Sequence, residues 1–99
     1  MLIRVVRMTF QEASVQDFLD NFEKHKHAIR AFEGCQHLEL WRDENQHNVF
    51  MTYSYWEDED ALNRYRDSEL FKGVWSFTKT LFSERPFAFS SKKLQEVNS

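Results

Sequence analysis

The run NVFMTYSYW at residues 48–56 leaves a short chain little freedom. Its β-branched and aromatic residues read as a strand, and in a strand alternate side chains stand on opposite faces. One face then holds Val49, Met51, Tyr53 and Tyr55, and the other Phe50, Thr52, Ser54 and Trp56. Large rings lie on both sides, so neither face suits water. A sheet built on this strand needs a cover on each side, and 99 residues supply one layer of helices. The second cover has to come from elsewhere.

The rest of the chain supplies the partners. MLIRVVRMTF reads as a strand from Leu2 to Phe10, with Leu2, Val6, Met8 and Phe10 on one face and Ile3 and Val5 on the other. Ser14 is placed to cap a helix, with Asp17 where a carboxylate answers the cap. Val15, Phe18, Leu19, Phe22, Ile29 and Phe32 form its apolar stripe, and Gly34 stands as terminator. CQHLELWRD is a second strand, and ENQ a turn that folds it back as an antiparallel hairpin. EDEDALNRYR is a short helix with acids in its first turn, the end a helix dipole favours for them. Ser68 caps a further helix whose stripe is Leu70, Phe71, Val74, Trp75, Thr78, Leu81 and Phe82. Pro86 stops it, and FAFS gives a last edge strand. Residues 1–91 therefore read as one domain and 92–99 as a loose tail or an arm toward a partner.

Strand, helix, strand, strand, helix pair, strand is the order of an α+β, ferredoxin-like split βαβ fold. It predicts a four-stranded antiparallel sheet with its helices on one side. If residues 42 and 47 pair across the hairpin, Leu38 and Leu40 join Val49, Met51, Tyr53, Tyr55, Ile3 and Val5. His37, Glu39 and Trp41 then join Phe50, Thr52, Ser54 and Trp56. Whichever face turns from the helices carries several large apolar groups, each worth about 1.5–3 kcal/mol when buried. Soluble monomers seldom leave such a patch open. The expectation is a homodimer through the sheet face, two sheets closing one barrel.

Other classes are disfavoured. Sixteen carboxylates against 13 Lys and Arg, with no basic block, argue against a nucleic-acid partner. No apolar run approaches the ~20 residues that cross a bilayer, and the opening residues are too short and too interrupted by arginine for a secretory signal. Gly34 and Gly73 are isolated, so no phosphate-cradling loop forms. Cys35 is alone, which excludes an intrachain disulfide, favours a small buried thiol and makes a reducing cytoplasm the expected location. His25 and His27 point to different sides of a helix, His37 and His47 lie several pairs apart on the hairpin, and no metal site is expected. EDED lacks the glycine turn of a calcium loop.

VVRMTF, FEGCQHLELWRDENQHNVFMTYSYWED, DALNRY and DSELFKG together resemble the antibiotic biosynthesis monooxygenase family. Its members are small dimeric α+β barrels, among them quinol- and anthrone-oxidising enzymes and haem-degrading enzymes. The resemblance implies a pocket between sheet and helices. His37, Glu39, Thr52, Ser54 and Trp56 would face it from the sheet, and Tyr65, Phe71 and Trp75 from the helices. The haem-degrading branch has Asn, Trp and an axial His where this chain has Val6, Tyr65 and Trp75, so haem is not expected. The anthrone-oxidising branch has Asn, Trp and Tyr at Thr52, Trp56 and Leu62, and the family's usual Glu is Ser54 here.

The activity implied by the resemblance is that of a monooxygenase with no cofactor (metal, haem or flavin) that oxidises a small aromatic substrate, quinol- or anthrone-like, with dioxygen. The alternative is a non-catalytic ligand-binding or stress-associated barrel. In the enzyme reading His37 is the base, Tyr65 or Thr52 donates to the oxyanion, Trp56 and Trp75 sandwich a flat ring, and Phe71 and Ser54 complete the substrate site. The plainer reading makes the two tryptophans core residues and lays the Tyr65 ring on the sheet.

Overall fold

The computed structural model describes residues 1–98. Strand β1 (Leu2–Thr9) leads through a 3-10 turn (Glu12–Ser14) into α1 (Val15–Arg30). Then come β2 (Cys35–Arg42), β3 (Val49–Trp56), α2 (Glu59–Arg66), α3 (Glu69–Thr78) with a 3-10 extension (Lys79–Leu81), and β4 (Phe87–Ser91). The four strands are antiparallel in the order β2-β3-β1-β4, the ferredoxin-like arrangement expected. Residues 92–98 carry no helix or strand, and the end of the expected tail, Ser99, lies outside the described residues.

Local chemistry explains most boundaries. Asp58 caps α2 by accepting from the Ala61 amide at 2.8 Å, and Ser68 caps α3 by accepting from Phe71 at 3.1 Å. Ser14 does not cap α1 through its side chain. Its backbone is already in the helical region, because the Ser14 amide closes the preceding turn onto the Gln11 carbonyl at 2.9 Å. Gly34, at φ 90°, carries the chain from the end of α1 into β2.

The hairpin register departs from expectation. Arg42 pairs with Phe50 and Leu40 with Thr52, so β2 sits three residues further along β3 than a 42–47 pairing places it. The cause lies in the connection. The Asp43 carboxylate accepts from the Asn45 and Gln46 amides, each at 3.0 Å, and the Val49 amide donates back to Gln46 at 3.1 Å. This side-chain-closed turn takes up His47 and Asn48 before β3 begins. An odd shift turns a strand over. Leu38 and Leu40 therefore lie under the helices with Thr52 and Ser54. His37, Glu39 and Trp41 lie on the opposite face with Met51, Tyr53 and Tyr55.

The core falls into two clusters beneath the helices. Met8, Phe10, Phe18, Phe50 and Leu81 form one, with Phe10 and Phe18 stacked at 4.2 Å. Trp56, Ala61, Leu62 and Cys35 form the other, flanked by Phe32 and Tyr65. Among the described residues no helix covers the far side of the sheet. Phe87 is 63% exposed, Phe89 43% and Trp41 37%, values that leave large rings in water. Trp41 stacks on Tyr53 at 4.5 Å, the Tyr53 and Tyr55 hydroxyls meet at 2.7 Å, and the Lys93 ammonium from the tail rests over the Tyr55 ring.

Candidate functional site

Between the two clusters the layers part, leaving a cavity of about 630 Å³. Volumes of this order hold small organic ligands. Its floor is the inner sheet face: Val6 and Met8 from β1, Leu38 from β2, and Thr52, Ser54 and Trp56 from β3. Its roof is Phe18 and Phe22 of α1, Leu62 and Tyr65 of α2, and Phe71, Val74 and Trp75 of α3. Arg4, Asn63, Arg66 and Asp67 also line it. The two helices after β3 make the space: they enclose it with rings rather than with interlocking aliphatic groups.

Six of the eight residues expected to face the pocket converge here: Thr52, Ser54, Trp56, Tyr65, Phe71 and Trp75. His37 does not. The three-residue offset places it on the outer face, where it packs against Tyr55 at 5.0 Å and contacts the Glu39 carboxylate. Glu39 goes with it, accepting from the Trp41 indole at 2.7 Å, and those two bonds hold its carboxyl below the usual range. Among the described residues no histidine lines the cavity, and no three His, Cys, Asp or Glu side chains converge on a metal position.

The aromatic wall is also arranged differently from a ring sandwich. Tyr65 lies on Trp56 at 4.8 Å and nearly parallel, and the Trp56 indole donates to the Ser54 hydroxyl at 3.0 Å. Trp56 is 1% exposed, so its stacking face belongs to Tyr65 rather than to a ligand. Trp75 is half-buried and parallel to Phe71 at 5.8 Å. Those two and the Tyr65 edge offer a π-surface to the cavity.

Burial first, and then the charge that Cys35 carries once ionised, push the Tyr65 phenol above its ordinary value of 10.0. At neutral pH it is a proton donor, not a base. The unfolded phenol ionises near 10 while the folded one stays neutral, so the stability involved is complete below that pH and is lost as pH rises above it. Thermal melts of the parent chain should therefore fall more steeply above pH 10 than those of Tyr65→Phe.

Sequence reasoning missed Arg4, Asn63, Arg66 and Asp67. For Arg4 a signal existed. It shares strand parity with Val6 and Met8, so a charge stands in the inward-facing series. Arg66 ends the last turn of α2 and Asp67 follows it, and both were legible only as polar surface.

Residues 1–74 match the family model described as antibiotic biosynthesis monooxygenase. The chain belongs to this family. The match agrees with the resemblance carried by the strand and hairpin residues. Many solved structures share the fold, three among them as follows. One, a crystal structure of an antibiotic biosynthesis monooxygenase, superposes with a TM-score of 0.90 at 15% identity, covering 96% of this chain and all (100%) of that one. A conserved protein from Methanosarcina mazei Go1 gives 0.87 at 19% identity over 94% and 93% of the two chains. Rv0793 from Mycobacterium tuberculosis gives 0.88 at 13% identity over 98% of each. No curated protein sequence matches the chain.

Proposed function

We propose that this family member oxidises a small aromatic molecule, quinol- or anthrone-like, with dioxygen and without a cofactor, acting as a homodimer. The observation that carries the reading is the cavity itself. It is large enough for two or three fused rings, walled by Phe71, Trp75 and Tyr65, and supplied with the Thr52 and Ser54 hydroxyls from the floor. In such a reaction an anthrone methylene loses two hydrogens and gains one oxygen atom, and the second oxygen leaves as water. Loss of a proton from the substrate to water starts it, and the resulting anion passes an electron to dioxygen. The protonated Tyr65 phenol is suited to donate to the oxyanion that forms. Thr52 and Ser54 would orient the ring substituents.

A second reading has a specific observation behind it. With His37 on the outer face, Asp67 is the carboxylate left lining the cavity, and it is exposed at the rim. A pocket without a buried base suits a ligand-binding dimer. Oxygen uptake with a panel of hydroquinones and anthrones separates the two. The enzyme reading expects uptake that Trp75→Ala weakens about ten- to hundredfold in kcat/KM, the worth of one large buried side chain at about 1.5–3 kcal/mol. Tight binding of a panel member with no uptake would leave the binding module.

The dimer is proposed through the outer sheet face. Val5, Met51, Tyr53, Phe87 and Phe89 stand there without a cover from their own chain's helices. At about 1.5–3 kcal/mol for each side chain fully buried, both copies together can exceed an association cost of about 4–15 kcal/mol.

A further inference from the structure

Arg4 is an unusual resident of the inner face. It sits on a central strand, paired with Ser54 on one side and Ser90 on the other, and is half-buried at the cavity wall. Its guanidinium donates to the neutral Ser90 hydroxyl at 3.1 Å. The ion pairs among the described residues join Lys26 to Glu23, His37 to Glu39, His47 to Glu12 and Lys93 to Glu96, and include neither Arg4 nor Arg66. Arg66 lines the same cavity from the end of α2. Asp67 lines it too, but none of these pairs joins its carboxylate to either guanidinium. Two cations against one anion leave this end of the cavity positive, in a chain whose net charge is −3.

A partly desolvated cation without a counter-ion is unfavourable. Desolvation first, and then repulsion from Arg66, lower the Arg4 pKa, so the two guanidinium groups feel each other across the rim. A bound oxyanion would relieve both effects. Guanidinium is also the side chain best matched to the planar, two-oxygen geometry of a carboxylate.

We propose that the cavity takes an aromatic carboxylate, its rings against Trp75 and Phe71 and its carboxylate between Arg4 and Arg66. The proposal rests on the aromatic-pocket reading and adds the charge of the ligand to it. The Ser90 bond pre-orients Arg4, and Arg66 at the exposed rim closes on the anion after entry.

Titration of the full chain with a hydroxynaphthoate and with the corresponding naphthol tests this. The carboxylate should bind at least tenfold more tightly at low ionic strength, and the gap should narrow as salt is added. Arg4→Gln with Arg66→Gln should bring the ratio of the two affinities close to one. Arg66→Gln alone, at an exposed position that folding tolerates, should reduce it part-way. Equal affinities in the parent chain, or a preference that survives both substitutions, would overturn the proposal. Naphthol binding that depends on Trp75, with nothing gained from the carboxylate, would overturn the anion site and leave the aromatic pocket standing. Failure of both probes to bind would remove the two together.

Discussion

Val5→Glu is expected to convert a particle of twice the 12.0 kDa chain mass into a single chain. Val5 lies at the middle of the uncovered face, between Tyr53 on β3 and Phe89 on β4. In a lone subunit the new carboxylate stands in water and costs the fold little. In a face-to-face dimer it is enclosed among rings, with Arg7 of the same face two residues along the strand rather than paired to it. A buried charge left without its partner costs about 3–5 kcal/mol, and twofold symmetry makes every such cost count twice. At about 1.4 kcal/mol for each tenfold change in an equilibrium constant, the dissociation constant should rise at least ten-thousandfold. Sedimentation at micromolar concentration reads the result directly. A parent chain that already sediments at 12.0 kDa would sink the dimer.

Gly34→Ala should be among the most destabilising single changes in the chain. Gly34 has a φ of 90°, and a β-carbon built on it would stand 2.5 Å from the β-carbon of Ala61. Ala61 is fully buried, and its amide is held by the Asp58 cap, so α2 cannot easily retreat. The Gly34 carbonyl accepts from the Glu57 amide at 2.8 Å, which keeps the turn close to the start of α2. The left-handed backbone costs an L-residue about 1–2 kcal/mol, and overpacking adds about 1–3 kcal/mol. A total of about 2–5 kcal/mol is a large share of the roughly 5–15 kcal/mol that holds a domain of this size together. The melting temperature should drop by about 8 °C or more. Adding Ala61→Gly should recover the steric part and not the backbone part, a non-additive pattern that a double-mutant cycle resolves. Strict additivity of the two changes would refute the contact.

Much of the architecture was legible because it rests on local signals. The acids opening α2, the cap at Ser68, the terminator at Gly34, and the period-two pattern of β3 are short-range chemistry, and each element formed near its expected place. The aromatic half of the site came from the same source. Trp56, Tyr65, Phe71 and Trp75 have inward parity or helical spacing, and the cavity collects all four. The failures have physical causes too. Ser14 lost its cap because a 3-10 turn had already closed behind it. His37 left the site because the Asp43 carboxylate organised a longer turn than ENQ suggested.

The residue pattern alone determined that the sheet would have a ring-bearing face turned away from its helices, since period-two alternation puts bulk on both sides of β3 in any register. Tertiary structure decided which β2 side chains share each face, and so removed His37 from the cavity and brought Leu38 into it. It also brought Arg4 and Arg66, far apart in sequence, to one unpaired rim. Alternation within a strand is a property of the backbone, whereas the offset between strands depends on how many residues the turn consumes. Here a single side-chain acceptor set that number.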